Sequence, residues 1–148
     1  MTEISVGRPM EMLLIEDNLQ DARLTIMSLK GHKVEHRLTL IRDGQEAMEF
    51  LHQEGRFSRA PRPDLILLDL NLPKKDGREV LTEIKSDGNL QSVPIVILTS
   101  STSDQDRLRA EQLNAESYIT KPVDYEEFLA LVDQLRRYWR QDVILPST

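Results

Sequence analysis

The chain has no cysteine. That excludes disulfides, cysteine-based zinc sites and thiol catalysis. It has no apolar run near the roughly 18 residues that a membrane-spanning helix needs. Met1 to Arg8 lacks the apolar core of a signal peptide, so a cytoplasmic location is expected, with no membrane partner. Positive charge is also in short supply. There are 19 Lys and Arg against 25 Asp and Glu, a net charge of -6 and a pI of about 5.1. That balance argues against nonspecific nucleic-acid binding. No internal repeat or low-complexity segment is present. The 148 residues, 39% hydrophobic and 30% charged, suit one soluble domain with its own core. One α/β domain leaves no room for a second, DNA-binding one.

Met10 to Ile15 is a short apolar run cut off by Glu16 and Asp17, and reads as a buried strand. Asp17-Asn18 offers cap side chains for a helix on which Ala22, Ile26 and Leu29 recur. Val34, His36, Leu38 and Leu40 alternate, predicting a second, partly exposed strand. Asp43-Gly44 reads as a turn before a helix marked by Ala47, Met48 and Leu51. Glu54 to Pro63 is a polar loop carrying Arg56, Arg59 and Arg62. A strand over Leu65 to Leu70 follows, then Asp76-Gly77 and a helix through Val80, Leu81 and Ile84. Ile95 to Leu98 is a buried strand ending at Thr99. Ser103-Asp104 caps a fourth helix with Leu108 and Leu113. Tyr118-Ile119 is a short fifth strand ending at Lys121-Pro122. A last helix is expected from about Tyr125 to Trp139, with Phe128, Leu131, Val132 and Leu135 on one face. Strand then helix, five times over, with near-continuous apolar strands, predicts a doubly wound five-stranded parallel sheet. The flavodoxin-like order 2-1-3-4-5 suits five strands.

In a parallel sheet the C-terminal strand ends share one edge. Strand one ends in Glu16-Asp17, strand three at Asp69, strand four at Thr99 and strand five at Lys121. Taken singly, each has an ordinary explanation. Glu16 and Asp17 could cap a helix, Asp69 could start a turn, Thr99 could be a β-branched strand end, and Lys121 could lie on the surface. Taken together, three acids, a hydroxyl and an ammonium converge. Three close carboxylates need a proton or a cation among them. With oxygen ligands only, the cation is a hard one, and Mg²⁺ binds through one or two carboxylates plus water and phosphate. Lys121 and Thr99 supply charge and a hydroxyl for phosphoryl oxygens, and an Asp can be the nucleophile.

The chain resembles the receiver domain of two-component response regulators over about Met10 to Arg140. The matching elements are Ile15-Glu16-Asp17-Asn18, Asp69-Leu70-Asn71-Leu72-Pro73, Asp76-Gly77, Leu98-Thr99-Ser100 and Tyr118-Ile119-Thr120-Lys121-Pro122. The resemblance implies that Asp69 accepts a phosphoryl group from a phosphohistidine on a sensor kinase. It implies Mg²⁺ on Glu16, Asp17, Asp69 and the backbone carbonyl of Asn71. Phosphoryl oxygens would be bound by Thr99, Lys121 and the backbone of Ser100, whose small side chain leaves the group open to water. Thr99 and Tyr118 would be the switch pair, and the Lys121-Pro122 bond would be cis. The run from Leu65 to Leu81, the Arg/Pro loop before it and the Tyr138-Trp139 tail are similar to single-domain regulators of cyanobacterial and bacterial phytochrome kinases.

The expected organisation is an N-terminal tail over 1–9, a receiver domain over 10–140 and an apolar tail over 141–148. Trp139, Val143, Ile144 and Leu145 either fold back on their own domain or cross over in a homodimer built on helix four, strand five and helix five. Arg56, Arg59 and Arg62 either touch an acidic kinase surface or form a solvated loop. The expected function is a phosphoacceptor switch that hydrolyses its own acyl phosphate slowly, or a relay intermediate. An enzyme reading, a phosphatase with an Asp nucleophile, wants a second Asp two residues on, where this chain has Asn71. A pseudo-receiver that only binds a partner would not need the intact set of acids, Thr99 and Lys121.

Overall fold

The structure is a computed structural model, and it describes residues 8–29, 35–100, 103–115, 117–121 and 125–134. The strands are β1 (Met10–Ile15), β2 (His36–Ile41), β3 (Leu65–Leu68), β4 (Ile95–Thr99) and β5 (Ser117–Thr120). The helices are α1 (Leu19–Leu29), α2 (Gly44–Leu51), α3 (Gly77–Ser86), α4 (Asp104–Gln112) and α5 (Tyr125–Gln134). All strand pairs are parallel and the order is β2-β1-β3-β4-β5, as the flavodoxin-like reading requires.

The central strands carry apolar residues on both faces, so alternate residues feed two cores. Leu13, Ile15, Ile66, Leu68, Ile95 and Ile97 meet Ala47, Met48, Leu51, Val80, Leu81 and Ile84 of α2 and α3. Met12, Leu14, Leu65, Leu67, Val96 and Leu98 meet Ala22 and Leu29 of α1 and Phe128 of α5. Helices therefore cover both faces, and each strand tip is left pointing at the same edge.

Side-chain caps start α1 to α4. Asn18 Oδ1 accepts from Asp21 N at 3.0 Å, so of the expected pair it is Asn18 that caps α1. Asp43, expected in a turn with Gly44, is the cap of α2 and accepts from Glu46 N at 2.7 Å. Asp76 caps α3 and Ser103 caps α4.

Three sequence expectations are revised. Strand β3 stops at Leu68, and Leu70 lies beyond it yet is buried. The polar loop contains a short 3-10 turn, Gly55–Phe57. The buried residue of α4 is Ala110, whereas Leu108 is 54% exposed. Leu113 lies just past the helix end and packs on the core. Helix α4 is so polar elsewhere that two leucines looked like its inner face. Val34, the end of the last helix beyond Gln134, Pro122 and the 141–148 tail lie outside the described residues.

Candidate functional site

The sheet's hydrogen bonding continues past the strand ends and fixes the site residues in register. Glu16 N donates to Ile41 O at 2.9 Å, Asp69 N to Ile15 O at 3.0 Å, and Lys121 N to Thr99 O at 3.0 Å. Glu16 is 1% exposed and Asp69 6%. Thr99, the last residue of β4, is fully buried. Four residues expected at one edge are thus held there by backbone bonds across β2, β1, β3, β4 and β5.

Lys121 Nζ is the hub. It donates to Asp69 Oδ2 at 3.2 Å and to Asp21 Oδ2 at 2.9 Å, and it pairs with Glu16 Oε1. The other oxygens face backbone donors. Asn71 N donates to Asp69 Oδ1 at 3.3 Å, and Asn18 N to Glu16 Oε2 at 3.1 Å. Burial, then the hydrogen-bonded Asp69 carboxylate, push the Glu16 carboxyl up to about 7, although Lys121 pulls the other way. Burial alone would lower the Lys121 ammonium, but bonds to Glu16 and Asp21 and the charges of Asp69 and Glu16 hold it above its ordinary value. Glu16 Oε1 is sealed from solvent and, though it faces the ammonium, forms no well-aligned hydrogen bond. This crowding of acids around one buried, poorly satisfied oxygen suits a divalent cation, and the donors are all oxygen. Among the described residues no three acidic or imidazole side chains already converge as a ready-made cage.

Asp17 stands apart. Its side chain is half exposed and lies 3.8 Å from Arg42, whose guanidinium also donates to the Asp17 carbonyl at 3.3 Å. Asn71 and Ser100 are exposed at the rim. Tyr118 is half-buried on β5, with the Arg107 guanidinium 4.7 Å from its ring centre. Arg56, of the polar loop, pairs with Glu46. Asp21 is the site residue that sequence reasoning missed. In the first turn of a helix an acid is expected simply from the helix dipole. The available signal was its place one helical turn past the strand-one acids.

The loop after Asp69 is tightly fixed. Gly77 N donates to Leu70 O at 2.9 Å, and a Cβ at Gly77 would lie 2.2 Å from Asp69 O. Arg78 grips Asp106 of α4 through two bonds of 2.7 Å and reaches Leu70 O at 3.3 Å.

The sequence profile of the response regulator receiver domain matches residues 12–133. The chain belongs to the response regulator receiver family. A receiver is a phosphoacceptor rather than a conventional enzyme, and that is the role the family gives this chain. It is 43% identical over 139 residues to response regulator Rcp1 of Synechocystis sp., covering 94% of this chain and 95% of that protein. The solved Mn(2+)-bound form of Rcp1 superposes with a TM-score of 0.75, covering 94% of this chain and 100% of that one. The phosphorylated cyanobacterial phytochrome response regulator RcpA superposes with a TM-score of 0.76 at 44% identity, covering 95% of this chain and 100% of that one. The receiver is thus similar to phytochrome response regulators in both sequence and fold. Among the described residues no helix is long and apolar enough to cross a membrane.

Proposed function

We propose that this receiver takes a phosphoryl group on Asp69 from a sensor histidine kinase of the phytochrome type, in a Mg²⁺-dependent reaction in the cytoplasm. The observation that carries the reading is Lys121 Nζ, bound at once to Asp69, Glu16 and Asp21 at the strand tips. Asp69 Oδ attacks phosphorus, the bond to the donor imidazole breaks, and a mixed anhydride forms. Lys121 and the Thr99 hydroxyl bind phosphoryl oxygens, with the Ser100 backbone completing the cradle. Bound Mg²⁺ would supply positive charge against the oxygens of the transferring group. Glu16, Asp69 and the Asn71 carbonyl would hold it with Asp17, whose exposed pairing with Arg42 is weak enough to give up. Tyr118 reports the state of Thr99 to the α4–β5–α5 face, and slow self-hydrolysis of the acyl phosphate resets the switch. The proposed domain spans 10–140, with Pro122 cis. The 141–148 tail crosses over in a homodimer on that face.

Acetyl phosphate with Mg²⁺ gives an adduct in the intact mass of the wild type, and Asp69→Asn abolishes it. No adduct together with no Mg²⁺ binding overturns the reading. Transfer from a phytochrome kinase is expected to outpace transfer from an unrelated kinase. Sedimentation of the full chain and of a chain cut before Val143 tests the dimer, and two unchanged monomers would sink it.

A further inference from the structure

Of its three N–H donors, Lys121 gives one to Asp69 and one to Asp21, and its ammonium also pairs with Glu16, so three carboxylates share one cation. Two of the three, Glu16 and Asp69, are nearly sealed from water and are the acids a divalent cation needs. The third, Asp21, is about one-third exposed and stands on α1. Its backbone is fixed, because Asp21 N donates to the α1 cap, Asn18 Oδ1. The backbone of Lys121 is fixed as well, through its own N–H on Thr99 O. Lys121 and Asp21 therefore face each other from two rigid anchors, 100 residues apart in sequence.

A divalent cation and an ammonium repel, and although two carboxylates offer four oxygens, crowding both positive charges onto Glu16 and Asp69 weakens the hold on each. Were Glu16 and Asp69 the sole partners of Lys121, each cation that bound would drive the ammonium out toward water, away from the phosphoryl position. We infer that Asp21 is a positioning residue that receives Lys121 when a divalent cation takes Glu16 and Asp69. The side chain then pivots on a fixed backbone and stays beside Asp69. As an acid of the first helical turn, Asp21 would also favour the α1 dipole. That role gives no reason for its Oδ2 to lie 2.9 Å from Lys121 Nζ.

This inference rests on the proposed reading of the site, and one thermodynamic cycle separates the two. Mg²⁺ affinity of the full chain is measured by calorimetry for wild type, Asp21→Asn, Lys121→Ala and the double variant. Asp21→Asn weakens Mg²⁺ binding roughly tenfold, within the range that outer-sphere partners of metal sites contribute. In the Lys121→Ala background the same substitution changes the affinity less than about twofold, because no ammonium needs a second place. Asp21→Glu keeps the acid and restores most of the affinity. At saturating Mg²⁺, Asp21→Asn is phosphorylated by acetyl phosphate with a lower maximal rate. Equal losses in both backgrounds would reduce Asp21 to a distant negative charge and overturn the inference. Unchanged affinity in the single variant would overturn it too. In both cases the wild type still binds Mg²⁺ and the reading of the site stands. A wild type that binds no Mg²⁺ overturns both.

Discussion

Glu16 carries a proton at pH values where an ordinary glutamic acid has lost it, and the effect extends to stability. Its carboxyl titrates near 7 in the folded protein against 4.5 for an ordinary Glu. Between those values the folded chain holds a proton that the unfolded chain has released. The stabilisation is therefore complete below about 4.5 and is lost as pH rises through about 7. Lys121 is shifted upward from 10.5 and contributes no slope in that window. In chelator the urea midpoint is expected to fall from pH 4.5 to 7. Glu16→Gln, which stays neutral, flattens that fall. Saturating Mg²⁺ stabilises the ionised form and lifts the neutral end. At the residue scale the placing of Glu16, Asp69, Thr99 and Lys121 at one edge was legible because one sheet edge gathers strand ends, but Asp17, expected with them, stands apart. Asp21 was not, since helix geometry rather than strand order brings it to Lys121. The Asp17–Arg42 pairing was also invisible, because side-chain direction at a rim does not follow from spacing.

At the scale of elements, the segment between β3 and α3 is held by close backbone approach. A Cβ at Gly77 would stand 2.2 Å from Asp69 O and 2.6 Å from Leu70 Cα. A Cβ at Gly44 would stand 1.9 Å from Lys75 O. Neither neighbour is a flexible side-chain tip, so the segment itself must move. Gly77→Ala is expected to cost about 2 kcal/mol by denaturant midpoint. It should also slow phosphorylation by acetyl phosphate, because the displaced atoms belong to Asp69 and its neighbour. A loss of stability with unchanged phosphorylation would show that the segment yields away from the site. The sequence places Asp76-Gly77 ahead of a helix, and Asp76 is the cap of that helix. The requirement for glycine comes from close backbone approach, of Gly77 to Asp69 and Leu70 just before it and of Gly44 to Lys75 of a later segment, which local pattern does not encode. Helix α4 was found by its Ser103 cap, but of the two leucines assigned to it Leu108 is exposed and Leu113 packs from just past the helix end, while Ala110 is the buried residue of the helix.

For the whole molecule, strand–helix order and near-continuous apolar strands were enough to give architecture, because each central strand must satisfy two cores at once. Ile97 is fully buried and pairs with Leu68 on one side and Tyr118 on the other. Ile97→Ala is expected to cost about 3 kcal/mol, with the denaturant slope unchanged. A drop in slope would mean that the cavity loosens the native state rather than merely destabilising it. Lys121 has a further consequence. Its partners lie 52 and 100 residues earlier in the chain, and its own strand is the last to join the sheet in sequence. A ribosome releases the three acids long before it releases the lysine. Until then the acids gathered at this edge have no ammonium among them, so their charge is balanced only once β5 and the residue after it are in place.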